Sequence, residues 1–104
     1  MEQFNKFENE IRDCLNHLNV DFMPLHDIYR TIFGFEKLIP TEDEFSQTIE
    51  LVRILLKNED VFCTNEIGMN LKDKSVSEII SFLNDKWKEG KYDEINYGFW
   101  LDKQ

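Results

Sequence analysis

The stretch that decides the fold class is Thr41-Glu42-Asp43-Glu44-Phe45-Ser46-Gln47-Thr48-Ile49-Glu50-Leu51-Val52-Arg53-Ile54-Leu55-Leu56-Lys57, with Val61-Phe62-Cys63-Thr64 just beyond it. Thr41 stands three residues ahead of Glu44, the spacing of a reciprocal capping box, and Glu42, Asp43 and Glu44 crowd the positive end of a helix dipole. Phe45, Thr48, Ile49, Val52, Leu55 and Leu56 then recur at helical spacing, which predicts a helix over 41–57. Glu59 and Asp60 end it, and Val61 to Thr64 is a β-branched and aromatic run that reads as a short strand.

Upstream, Phe4, Phe7, Ile11, Cys14, Leu15 and Leu18 form an apolar stripe opposite Glu8, Glu10, Arg12, Asp13 and Asn16, giving a first helix over 3–18. Asp21 to Pro24 breaks it, since proline has a preset φ and no N–H and suits the first turn of a new helix. Leu25, Ile28, Tyr29, Ile32 and Phe33 line a short second helix that stops at Gly34, and residues 35–40 read as a loop.

Downstream, residues 65–74 read as a loop, and Ser75-Val76-Ser77-Glu78 repeats the capping box. Val76, Ile79, Ile80, Leu83 and Trp87 line a fourth helix ending near Gly90, and Tyr97 to Leu101 reads as a second strand pairing with 61–64. The expectation is one domain over 1–104, α+β and mainly α. Its plan is winged-helix-like: three helices plus a small antiparallel β-hairpin, with a fourth helix inserted before the last strand. No internal repeat or low-complexity run interrupts it.

Charge narrows the function. Twenty-one acidic against twelve basic residues give a formal charge of −9, spread along the chain rather than gathered in a tail. Such a field repels phosphate backbones and anionic lipid and attracts basic proteins. The third helix of a DNA-binding winged helix presents Arg, Lys, Asn or Gln to the major groove, whereas this one leads with Glu42, Asp43 and Glu44. Nucleic-acid and membrane partners are therefore disfavoured. The N-terminal MEQFNKFENE has neither the cationic start nor the apolar run of a signal peptide, so the reading is cytoplasmic, with Cys14 and Cys63 as reduced, buried thiols.

Chemistry-bearing motifs are sparse. Cys14 and His17 lie three residues apart, and His26 and Cys63 complete a set of ligand types without a recognised zinc spacing. Cys14 also falls on the apolar stripe, where a thiol needs no metal. The chain has no phosphate-binding glycine loop, nucleophile elbow or HExxH motif. No enzyme, metal or cofactor is expected. The C-terminal aromatics Trp87, Tyr92, Tyr97, Phe99 and Trp100 divide between core and interface anchors, and strand alternation sends Tyr97, Phe99 and Leu101 to one face and Trp100 to the other.

Three segments, LHDIYRTIFGF, TEDEFSQTIELVRILLKNEDVF and SEIISFLNDKWKEGKYDEINYGFWLD, together with the size and charge, resemble the small immunity proteins of bacterial toxin systems, of the contact-dependent growth inhibition and colicin type. The resemblance implies a cytoplasmic inhibitor that occludes the cationic cleft of one cognate toxin domain, in many cases a nuclease. Candidate contacts are Glu42, Asp43, Glu44, Gln47 and Glu50 on the third helix, and Tyr92, Asp93 and Glu94 in the last loop. The rival expectation is a generic interaction or regulatory module that self-associates through an apolar face.

Overall fold

A computed structural model describes residues 7–34, 39–58, 60–65 and 74–103, with the backbone alone for Thr64, Asn65 and Tyr97. Residues 35–38 of the expected 35–40 loop and 66–73 of the expected 65–74 loop, and Phe4 and Glu59, lie outside the described residues. The elements run α1 (Glu8–Leu18), β1 (Met23–Pro24), α2 (Leu25–Phe33), α3 (Glu42–Leu56), β2 (Val61–Asn65), α4 (Val76–Lys88), α5 (Tyr92–Gly98) and β3 (Phe99–Lys103). The protein is α+β and mainly α. Among the described residues, no helix is long and apolar enough to cross a membrane.

The three strands form one antiparallel sheet in the order β1-β3-β2. With a strand after the first helix pairing the last strand, this is the connectivity of a winged helix, and α4 and α5 are inserted between β2 and β3. Leu101 is central: Met23 faces it from β1 and Cys63 from β2. All three are buried, as are Val61 and Phe99 on the same strands, and they form the sheet's core-facing side. Pro24 sits where proline is tolerated, on a two-residue edge strand that is also the extended N-cap of α2.

Two sequence expectations shift. The last strand begins at Phe99 rather than Tyr97, because residues 92–98 form a helix where a loop was expected. Tyr92, Ile95, Asn96 and Phe99 are all buried, a spacing of three, four and seven that is helical; the polar Asn96 in the stripe masks it. The edge strand β1 is too short for any alternation to be read.

Both predicted capping boxes form. Thr41 Oγ1 accepts from the Glu44 N–H at 3.2 Å, while the Glu44 carboxylate accepts from the Thr41 N–H at 2.9 Å. Ser75 and Glu78 repeat this at 3.2 Å in both directions. Gly90, at φ 74°, follows the end of α4 in the left-handed region that terminates helices at low cost only for glycine. The core takes Phe45, Ile49, Leu51, Val52 and Leu55 from α3, against Leu25 and Ile28 of α2, Ile79, Ile80 and Leu83 of α4, and the sheet. Each such side chain contributes roughly 1.5–3 kcal/mol of burial.

Candidate acidic cleft at the α3–α4 contact

Helices α3 and α4 lie antiparallel. The first turns of α3 (Glu42, Phe45, Ser46) share a cleft with the last turns of α4 (Asn84, Trp87, Lys88), and the end of α3 (Arg53, Lys57) shares another with the start of α4 (Val76, Ser77). Along one face of this contact the two clefts meet at Asn84 and Lys88, which line both.

The first cleft, of about 620 Å³, has an aromatic floor. The Phe45 and Trp87 rings stack at 4.5 Å and 9°, and Tyr92 meets both edge-on, at 6.1 Å and 85° from Phe45 and 5.7 Å and 87° from Trp87. These are the offset and edge geometries that aromatic quadrupoles favour. Three segments build this floor: α3 supplies Phe45, α4 supplies Trp87, and the Gly90 turn reverses the chain so that α5 begins with Tyr92 against the other two. The rim carries the carboxylates Glu42 and Asp93, the hydroxyl of Ser46 and the exposed side chain of Ile39, with Lys88 as its one cation among the described residues.

The structure therefore gathers part of the expected set and disperses the rest. Glu42, Tyr92 and Asp93, fifty residues apart in sequence, meet at one cleft. Tyr92 does so as floor: it is 5% exposed, in a helix rather than a loop, so an exposed-anchor role for it is corrected to a supporting one. Asp43 is exposed one residue along but accepts from Gln47 Nε2 at 2.9 Å, so both point along α3 away from the cleft lining. Glu44 is turned inward, closing the capping box and accepting from the Tyr29 hydroxyl at 3.3 Å. Glu50 is exposed two turns further on. Glu94 faces Lys86 of α4 at 3.9 Å. Ile39 and Ser46 belong to the cleft without being expected as contacts, although Ser46 lies beside the apolar stripe of its helix; Trp87, on the stripe of α4 and expected as core or interface anchor, joins the floor.

The titratable groups whose pKa is displaced by burial lie outside this cleft. His26 is buried in α2, and its pKa is lowered from the usual 6.5 first by burial and then by the Arg30 charge, with Asp27 and the nearby Asn96 amide acting the other way. Asn96, buried on α5, thus lies close to His26 of α2. Burial raises the Tyr29 hydroxyl, and Glu44 adds to the shift. The Cys14 thiol is pushed up to about 11 by burial, against a hydrogen bond with Thr31, and burial raises Cys63 as well. Thiols held protonated in this way are poor nucleophiles and poor metal ligands. Cys14 is buried while His17 is exposed, so the two do not share an inward face. Among the described residues no group of three His, Cys, Asp or Glu side chains is placed to hold a metal ion.

No family model matches the chain, and no curated protein or solved structure resembles it significantly.

Proposed function

We propose that this protein is an inhibitor of the immunity type, cytoplasmic and non-enzymatic, that binds a basic protein through the acidic cleft at the start of α3. The observation that carries the reading is the convergence of Glu42 and Asp93 over the Phe45–Trp87–Tyr92 floor. A desolvated aromatic centre inside a charged rim is the anatomy of a protein interface. Carboxylates on that rim suit an arginine or lysine of a toxin domain's cationic cleft, which they occupy in place of substrate phosphates. The chain's charge of −9 adds long-range steering, which speeds encounter at low salt towards about 10⁸ M⁻¹s⁻¹.

The test is to ask whether the gene immediately upstream encodes a toxin domain, to co-express the chain with that domain, and to measure residual nuclease activity and association rate; a neighbouring gene with no toxin domain counts against the reading. Inhibition by the native chain, with slower association for Glu42→Lys/Asp93→Lys, supports the reading. Inhibition with an unchanged on-rate at low salt removes the cleft from the interface, and no inhibition removes the function.

A second reading, self-association, has its own observation. Phe22 is 43% exposed and meets the half-buried Trp100 at 5.6 Å, and Val20, two residues before Phe22 in sequence, is 88% exposed. This apolar patch lies on the β1–β3 side of the sheet. Sedimentation of the native chain against Trp100→Ala decides it: a dimer lost in the variant favours this reading.

A further inference from the structure

The second cleft along α3 and α4 has the opposite character. It encloses about 540 Å³ and is lined by Arg53 of α3, by Lys57 at its C-cap and by Ser77, Ser81, Asn84 and Lys88 of α4, over the apolar Val76 and Ile80 and with one carboxylate, Asp85. The charges of its lining sum to about +2 in a chain of net −9.

What sets these cations apart is their pairing. Nine Lys and Arg residues lie among the described residues. Lys74, Lys86 and Lys91 pair with Glu78, Glu94 and Glu89. Arg12 and Lys103 donate to Asn9 and Asn19, and Arg30 is engaged in the polar cluster around His26. The three left without a partner among the described residues are Arg53, Lys57 and Lys88, and all three line this one cleft. Asp85, at its edge, bonds to none of them.

Helix geometry lets the three heads converge. Side chains lean towards the N-terminus of their own helix. On α3 this carries Lys57 towards the level of Arg53, and Arg53 towards the level of Asn84. On the antiparallel α4 it carries Lys88 back towards Asn84 and Ser81. A guanidinium, two ammonium groups, two hydroxyls and an amide then face one volume, a donor set suited to a multiply charged oxyanion. At physiological salt the Debye length is about 8 Å, so more distant carboxylates are screened while the cleft's own cations are not.

We infer that this cleft binds a phosphate-class polyanion, of which inorganic pyrophosphate is the simplest member. The inference does not rest on the proposed function, since Arg53 and Lys57 lie outside the acidic cleft. The full chain, ¹⁵N-labelled, is titrated with inorganic pyrophosphate, with ADP, and with sulfate at matched ionic strength. Saturable shifts at Arg53, Lys57, Ser77, Ser81 and Asn84 are expected with pyrophosphate, and binding at least about tenfold weaker in Arg53→Gln/Lys57→Gln, a loss of about 1.4 kcal/mol. Both side chains are exposed, so the variant is expected to fold, as its spectrum will show. Lys74→Gln, outside the cleft, should bind as the native chain does. Equal affinity for ADP and pyrophosphate assigns free phosphate chemistry; tighter ADP binding with movement of the Trp87 indole signal assigns a nucleotide, and either result keeps the site. No saturation, equal shifts with sulfate, or unchanged affinity in Arg53→Gln/Lys57→Gln overturns it.

Discussion

The two ends of the α3–α4 contact are made from the same pair of helices and differ in how their charge is held. At the acidic end three aromatic rings interlock beneath the rim, and α5 buries Tyr92 and Ile95 behind it. At the cationic end the floor is aliphatic, and flexible Lys and Arg side chains stand over it without partners among the described residues. A rigid, desolvated floor suits a macromolecular contact, where preorganisation lowers the cost of association. Long cationic side chains suit a small solvated anion that can draw them together. One helix pair thus presents two kinds of surface.

The comparison can be broken most forcefully at the floor. Phe45→Ala at the acidic end should cost about 3–5 kcal/mol, as large-to-small substitutions of a buried aromatic do. Val76→Ala, half-buried at the cationic end, should cost only about 1 kcal/mol. Urea denaturation midpoints measure both, and similar losses would mean that the acidic end is no more rigidly built than the other.

The two capping boxes sharpen it next. They are chemically alike, but the carboxylate of Glu44 also accepts from Tyr29 and is partly buried, whereas Glu78 is exposed. Glu44→Ala should therefore cost about 1–3 kcal/mol and Glu78→Ala less. Equal losses in thermal unfolding would show the Tyr29 bond to be without consequence.

At the level of binding, Glu42→Lys/Asp93→Lys should slow association with a basic partner about tenfold at low salt, and by much less at high salt, since the steering term is screened. Arg53→Gln/Lys57→Gln should leave that rate unchanged or slightly faster. Stopped-flow measurements at two ionic strengths separate the pair.

The smallest effect is conditional on pH. His26 is held neutral in the fold with its pKa below 6.5, so below that pH the unfolded chain binds a proton that the folded chain does not. The stability this provides is present above about pH 6.5 and is lost as the pH falls through it. His26→Gln should flatten the dependence of unfolding free energy on pH between about 5 and 7. An unchanged slope would assign it to other groups.

Much of this architecture was legible from local chemistry. The Thr41–Glu44 and Ser75–Glu78 boxes, the stripes of α1 to α4 and the pairing of Val61–Thr64 with the C-terminal strand all follow from spacing and capping, which act over a few residues. What escaped depends on tertiary contact. β1 is two residues long, and its pairing of Met23 with Leu101 exists only because β3 returns between the other strands. α5 carries a buried Asn96 that lies close to His26, seventy residues earlier. The acidic residues at 42 and 93 could be listed from sequence, but their meeting could not, since it requires the antiparallel docking of α4 and the reversal at Gly90. The inward turn of Glu44 and the burial of Tyr92 were hidden for the same reason.

The central claim is that the acidic end, and not acidity in general, receives a cationic group. Titrating the ¹⁵N-labelled chain with a tri-arginine peptide tests it directly. Saturable shifts confined to Glu42, Ser46, Asp93 and the Trp87 indole, with Glu50, Asp60 and Asp102 unmoved, are the predicted result. Weak shifts spread evenly over the exposed carboxylates, or none at the cleft, would contradict it.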